Sequence, residues 1–329
     1  MSKTCIGCGA ILQDKEINEV GYVSSLEKDL CERCFQIRHY NKYQVVEKTN
    51  QEYEEILKNI AKTKDLVIFV VDVLHINQKI KEVLDFFNQD ILLVLTKRDL
   101  LPKVIYEQRL LDYMDVFSNH FVDKIMISSQ KNYQFDELYE KIKKYQKSPR
   151  VYVVGLTNAG KSTMLNQFLK DYTKSDKVIT TSMLPSTTLN MIEIPIDESL
   201  TLIDTPGILD EGNFIHIIED GKLLKKITPK KEIRPISYQV KGTQYFKIED
   251  FFYLEAKDNQ IIFYVSNALS IERYYQKKEM EHLVCHHISV KGKEDLVIPG
   301  LGFIKFMKPG TIVIYLPEGV NCYTRKSFI

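Results

Sequence analysis

At 329 residues with 44% hydrophobic content, the chain is long enough for two or three domains with ordinary cores. Its longest apolar runs fall far short of the roughly 20 residues that span a bilayer, and its polar N-terminus lacks the apolar stretch of a secretory leader, so the cytoplasm is the expected compartment. The formal net charge of +1 conceals an asymmetry: residues 1–221 carry 27 basic against 33 acidic side chains, whereas residues 222–329 carry 18 against 11. That excess points the C-terminal third toward a polyanionic partner such as RNA.

In chain order, the first module runs over residues 1–48. It contains two Cys-x-x-Cys knuckles, Cys5 with Cys8 and Cys31 with Cys34. Four thiolates so spaced suit tetrahedral zinc, and a cytoplasmic redox pair would need only one knuckle. Cys285, His286 and His287 lack a neighbouring cluster in sequence and, with Cys322, read as ordinary core or surface residues.

Residues 49–221 alternate β-branched apolar runs with helical periodicity, which predicts a mainly parallel sheet with helices on both faces. Strands are expected at Leu66–Asp72, Ile91–Thr96, Lys124–Ser128, Val151–Gly155, Met191–Pro195 and Leu200–Asp204, with helices at Val104–Phe117, Phe135–Gln146 and Lys161–Leu169. The second strand runs into Thr96-Lys97-Arg98-Asp99. A carboxylate there can accept from guanine N1–H and its exocyclic amine together, a donor pair that adenine lacks. Lys97 can lay its stem across the base. Ser128 and Ser129 follow the third strand, where a base-supporting loop is expected.

After the fourth strand, the eight residues from Gly155 to Ser162 fit the phosphate-loop pattern and open a helix. Asn158, Ala159, Gly160 and Thr163 belong to its wrap, Lys161 supplies charge to the outer phosphates, and the Ser162 hydroxyl can ligate magnesium. Thr188, in a polar loop after Pro185-Ser186, is the expected sensor of magnesium and the γ-phosphate. The last strand ends at Asp204-Thr205-Pro206-Gly207, so Asp204 can reach the magnesium shell and the Gly207 N–H the γ-phosphate. The position after that glycine, which in Ras-like proteins holds a water-orienting Gln, is Ile208. Residues 222–329 are richer in short strands, including Ile261–Val265 and Thr311–Leu316, and read as a separate β-rich domain for RNA or protein contact.

The motifs bind GTP and GDP in any GTPase, but the usual order places the phosphate loop first. Here Asp99 and Ser128 precede Gly155, so the order is circularly permuted. Together with the zinc knuckles and the C-terminal segments Pro229–Ile233, Tyr264–Asn267 and Ser289–Gly302, this resembles the YqeH family of circularly permuted GTPases over nearly the full length. The resemblance implies an α/β P-loop GTPase domain between a small zinc module and a β-rich, TRAP-like C-terminal domain. It also implies slow intrinsic hydrolysis, stimulation by potassium through Asn158, and a role at the small (30S) ribosomal subunit or its precursor, touching ribosomal RNA or a ribosomal protein. It carries no indication of oligomeric state. The chain departs from the family pattern at Thr96, usually Asn, at Gln130, usually Lys, at residues 73–76 and at Phe303, where Trp is usual. Two other readings remain: a metabolic or RNA-modifying enzyme that uses GTP, and a zinc-dependent nucleic-acid binder with a degenerate nucleotide site.

Overall fold

The computed structural model describes residues 3, 5, 11–16, 21–32, 50–172, 191–210, 212–218, 220–278 and 282–329. Its contacts divide the chain into two units, the first made of residues 1–72, 81–97 and 114–209 and the second of residues 73–80, 98–113 and 210–329.

The first unit is organised by a six-stranded sheet of order β3-β2-β1-β4-β6-β5. Its strands are β1 (Val67–Asp72), β2 (Ile91–Thr96), β3 (Phe121–Met126), β4 (Arg150–Gly155), β5 (Ile192–Asp197) and β6 (Leu200–Asp204). Every pairing is parallel except β5 with β6. Every residue of β1 and β2 is buried, as an apolar strand covered on both faces must be. On one face, α4 (Phe135–Tyr145) and α5 (Lys161–Tyr172) bury Phe135, Leu138, Ile142, Met164, Leu165 and Phe168 against Ile68, Val70, Val94 and Val153. The two helices meet through an edge-on Phe135–Phe168 contact at 5.5 Å and a stacked Tyr139–Tyr172 pair at 4.6 Å. Two helices lie outside the sequence expectation, α1 (Asn50–Ala61) and α2 (Lys79–Leu84). The expected helix Val104–Phe117 contracts to α3 (Glu107–Tyr113), followed by a 3-10 turn at Met114–Val116. Val104 and Val116, two of the apolar residues behind that expectation, are 83% and 66% exposed and hold no core face.

Register aligns the carboxyl ends. Asp72 of β1 sits opposite Thr96 of β2, Val70 opposite Gly155 of β4, and Val153 opposite Asp204 of β6. Loops leaving these four strands therefore emerge at one edge whatever their order in the chain.

The second unit contains α6 (Phe214–Ile217), α7 (Gly221–Ile227) and ten antiparallel strands: β7 (Ile236–Gln239), β8 (Thr243–Ile248), β9 (Phe252–Lys257), β10 (Gln260–Val265), β11 (Ile271–Tyr274), β12 (Val284–Lys291), β13 (Glu294–Ile298), β14 (Gly302–Phe306), β15 (Pro309–Leu316) and β16 (Tyr323–Lys326). They form two five-stranded sheets, β16-β13-β14-β10-β7 and β11-β8-β9-β15-β12. Phe246, Leu254 and Ile314 of the second sheet share one core with Phe263, Leu296 and Ile304 of the first. Phe303 is fully buried and stacks on Tyr264 at 4.6 Å, filling its place as a core aromatic.

A buried ion pair fastens this unit. Arg325 Nε lies 3.3 Å from Asp295 Oδ2 and its Nη1 donates to the Ile76 carbonyl at 2.8 Å. The guanidinium lies 4.8 Å from the ring centre of Phe303 and 4.1 Å from that of Phe328. Burial pushes the Asp295 carboxyl above its ordinary value, with Arg325 pulling the other way. Replacing Arg325 with Ala is expected to cost about 3–5 kcal/mol, because a buried carboxylate loses its cation. Without the arginine, the folded chain takes up a proton at Asp295 before the unfolded chain does, so the deficit should shrink on acidification. Thermal unfolding of both proteins in neutral and mildly acidic buffer measures it; an equal deficit in both would contradict the assignment.

Candidate functional site

The phosphate-loop sequence occupies the turn between β4 and α5. Gly155 has no room for a side chain, since a Cβ there would lie 2.4 Å from the Val70 carbonyl oxygen of the neighbouring strand. Asn158 and Gly160 both adopt positive φ, 60° and 95°, which curls the loop over the helix N-terminus. Asn158 is exposed, Ala159 buried, Ser162 half-buried and Thr163 exposed.

Lys161 is buried, and its Nζ donates to the carbonyls of Gly155 at 2.8 Å and Leu156 at 3.4 Å. Loss of hydration lowers its pKa from 10.5 to about 8, with the negative field of Asp204 opposing the shift. The cation is thus held by loop carbonyls, a neutral coordination that a phosphate oxygen would improve. Asp204 is itself buried at the end of β6. Thr205 anchors the turn that follows, its hydroxyl donating to the Val153 carbonyl at 2.8 Å.

Gly207 packs directly on this loop. A Cβ at that position would stand 3.1 Å from Thr157 Cγ2 and 3.2 Å from Lys161 Nζ. The next residue is stitched to the phosphate loop by the backbone: Thr157 N–H donates to the Ile208 carbonyl at 2.8 Å and Ile208 N–H to the Gly155 carbonyl at 3.3 Å. The Ile208 side chain is buried and offers no polar atom.

Thr96, where Asn is usual, is buried and its hydroxyl lies 2.6 Å from the Ala159 carbonyl and 3.3 Å from that of Val71. One hydroxyl proton serves the shorter contact, and it ties the end of β2 to the phosphate loop. A short side chain thus suffices to reach the loop from the end of β2. Lys97 has φ 64° and pairs with Asp72 at 2.6 Å. Asp72 was not among the expected site residues, although a carboxylate closing a wholly apolar strand was a readable signal. Asp99 follows in a 3-10 turn at Arg98–Leu100 and is half-buried. Ser128 is buried in a closed loop, exchanging backbone hydrogen bonds with Tyr133 while its hydroxyl accepts from Lys131 N–H at 3.2 Å; Ser129 is half-buried.

Tyr53 of α1 is a second residue without a sequence signal. It is 1% exposed and its hydroxyl faces Thr205, Gly155 and Asp204, beneath the junction of the two phosphate-side loops.

Thr188 lies outside the described residues, as do Cys8 and Cys34. Of the four expected zinc ligands, Cys5 and Cys31 are described, both buried with Leu12 and Val23, and Cys31 N–H donates to Cys5 Sγ at 3.2 Å. An N–H aimed at sulfur favours the thiolate that zinc requires. On β12, Cys285 Sγ and His287 Nε2 stand 3.8 Å apart on one side of the strand, and no cluster of three such donors occurs among the described residues.

For magnesium, the Ser162 hydroxyl and the Asp204 carboxylate are hard oxygen donors of the kind it takes. The buried ammonium beside them fits phosphate in the same place.

Comparison with known proteins finds GTPase families over these residues. A family profile described as "RsgA GTPase" matches residues 42–212, and one described as "50S ribosome-binding GTPase" matches residues 150–285. YqeH of Bacillus subtilis, described as an uncharacterized protein, is 33% identical over 362 aligned positions covering 99% of each chain. NO-associated protein 1 of Arabidopsis thaliana is 26% identical over 72% of this chain, which spans 48% of that protein. GTPase Der of Aquifex aeolicus is 30% identical over 54% of this chain and 43% of its own. Among solved structures, YjeQ from Thermotoga maritima aligns with a TM-score of 0.32 at 20% identity, covering 44% of this chain and 48% of that one. No helix of the described residues is long and apolar enough to cross a membrane.

The depressed pKa of Lys161 gives this site a signature without ligand. Below about pH 8 the folded chain carries a charged, desolvated ammonium, and above it the folded chain releases a proton that the unfolded chain keeps up to about 10.5. Lys161→Met is therefore expected to stabilise the nucleotide-free protein by about 1–2 kcal/mol near neutrality, an advantage that fades as pH rises past the folded value, while abolishing nucleotide binding. Thermal midpoints of both proteins across that pH range test it, and a variant less stable than the parent at neutral pH would show that the carbonyl contacts outweigh desolvation.

Proposed function

The chain belongs to the YqeH-type family of circularly permuted GTPases, and from that premise we propose that it is a cytoplasmic guanine-nucleotide switch in assembly of the small ribosomal subunit. The observation that carries this reading is one sheet edge holding the Lys161 loop, the Asp204–Gly207 turn bonded to it and Thr96 bonded to Ala159. In this reading Lys161, with Ala159, Gly160 and Thr163 around it, holds the phosphates. Ser162, Thr188 and Asp204 serve magnesium, which when bound would neutralise charge on the transferring phosphate. Gly207 N–H contacts the γ-phosphate, and Thr96, Lys97, Asp99, Ser128 and Ser129 form the base site.

Base choice rests on Asp99. Asp99→Asn is expected to weaken GTP binding by more than tenfold and to improve binding of xanthosine triphosphate, since the amide can donate where the carboxylate accepted. Unchanged GTP affinity in a direct titration would remove Asp99 from the site.

Because buried Ile208 cannot orient water, intrinsic hydrolysis should be slow and depend on an added cation. The exposed amide of Asn158, at the outer turn of the loop, fits a potassium ion by its carbonyl oxygen. Turnover is expected to be faster in potassium than in sodium salts, with the difference reduced by Asn158→Ala; equal rates would contradict the role. Residues 1–48 are read as a zinc module, and elemental analysis should find one zinc per chain, lost in the Cys31→Ser, Cys34→Ser double variant.

The permutation makes Gly207 the last nucleotide-side residue before the chain enters the second unit. There Asn213 caps α6, Phe214 N–H donates to the Pro299 carbonyl at 2.8 Å and Asn321 N–H to the Gly212 carbonyl at 2.9 Å. A nucleotide-dependent shift at Gly207 is thus passed by covalent continuity to a segment seated on a β-rich domain with a basic surplus, as far as GTP favours one arrangement over another. Removing residues 222–329 would be a poor test, since residues 73–80 and 98–113 pack with them. The intact protein, loaded with GDP or with a non-hydrolysable GTP analogue, should sediment with small subunits in one state more than the other. The profile described as a 50S ribosome-binding GTPase favours a second reading, in which the large subunit is the partner, and the same gradient separates the two. Sedimentation with neither subunit in either state would refute both.

A further inference from the structure

The two sheets of the second unit end on unequal edges. The edge strands β7, β11 and β16 are four residues long, whereas the fourth, β12, runs for eight. Natural sheets blunt a long edge with lysine, proline or a bulge, because its outward N–H and C=O groups otherwise recruit another strand. From Val284 to Val290 this strand has no lysine, arginine, acid or proline, and its pairing with β15 runs from Val284–Leu316 to Lys291–Pro309 without a break in register. Such an edge is ready for a further strand.

Alternation sends Ile288 and Val290 toward the core and leaves Cys285 and His287 exposed on the opposite face. The two exposed side chains converge, with Cys285 Sγ 3.8 Å from His287 Nε2. Tetrahedral zinc holds sulfur at about 2.3 Å and imidazole nitrogen at about 2.0 Å, which sets two such ligands roughly 3.5 Å apart. The pair is therefore spaced as neighbouring ligands of one ion. Two donors make half a structural site, and among the described residues no group of three cysteine, histidine or carboxylate side chains completes it.

Symmetry supplies the other half. When two copies of β12 run antiparallel about a two-fold axis at His286, each Cys285 stands opposite His287 of the other copy. Opposite residues of antiparallel strands share a face, so both cysteines and both histidines gather on one side as a four-donor set. On the other side the same register lays Val284, which is 42% exposed, against Ile288 of the second copy. We propose that zinc joins two copies of this chain through antiparallel β12 edges, held by Cys285 and His287 of each. Each thiol releases its proton to solvent as it binds the ion. One strand from each copy buries less than a stable interface requires, so the association depends on the metal. Neither the nucleotide site nor residues 1–48 take part.

The test uses the full chain, dialysed to remove loosely held metal and kept in a non-chelating reductant so that no disulfide contributes. Zinc chloride should double the mass read by light scattering and add about one zinc ion per two chains. Cobalt in its place should give the strong visible absorption of a four-coordinate ion with thiolate ligands. Cys285→Ala and His287→Ala should each weaken zinc-dependent dimerisation at least about tenfold, more than loss of an outer hydrogen-bond partner would. His286→Lys leaves the ligands intact but sets two ammonium groups face to face at the axis, and should weaken dimerisation about threefold or more. All three variants should keep the parent's GTP turnover, which controls for folding. A parent that binds the added zinc yet stays monomeric would give the edge to another partner and overturn the proposal. So would a dimer as strong in Cys285→Ala or His287→Ala as in the parent, bound cobalt without thiolate absorption, or undiminished dimerisation of His286→Lys, which would rule out the strand pairing.

Discussion

A buried ammonium must be solvated by something, and the site is arranged around how this chain does it for Lys161. The cation has lost most of its water, and in exchange has two loop carbonyls and the field of a buried aspartate. Those carbonyls stay in place because Gly155 sits too close to Val70 for any side chain and because Ile208 holds the loop from the other side. The left-handed conformation of Asn158 persists because parallel strands on both flanks over-determine the loop. The site therefore holds a desolvation cost that an anionic ligand would relieve, which is how a preorganised phosphate site separates ligand from water.

The second constraint is chain order. A parallel sheet gathers the ends of its strands without regard to sequence, so permuting the motifs leaves their meeting edge intact. What permutation changes is the exit. The loops after β1 and β2, residues 73–80 and 98–113, and everything beyond residue 210 pack as one unit, though they lie far apart in sequence. Within that unit Arg325 reaches the Ile76 carbonyl, and Ile233 N–H donates to the Leu100 carbonyl at 2.8 Å. Two loops that leave the ends of β1 and β2 are thus held by C-terminal residues. The family's GTPase chemistry and the β-rich unit are interleaved in the chain rather than strung in series, so an experiment that deletes the second unit also strips the partners of those loops.

Much was legible in the sequence because the signals were local. A phosphate loop must follow a strand and open a helix, and Gly155 to Ser162 declared both; the strand Leu200–Asp204 closed on its carboxylate as its apolar run implied. β1 and β2 read as strands because burial on both faces demands continuous apolar sequence. The helix expected at Val104–Phe117 contracted to Glu107–Tyr113: Leu110 and Met114 found a core but Val104 and Val116 near its ends did not, which periodicity cannot reveal. What only the tertiary structure decided depends on distance across the fold: that the Thr96 hydroxyl reaches the phosphate loop, because the Ala159 carbonyl comes within 2.6 Å; that Asp72 holds Lys97 and Tyr53 sits beneath Thr205; that Tyr245, Tyr253, Tyr274 and Tyr315 share one sheet face, since register is set by pairing between strands and by nothing within any one of them.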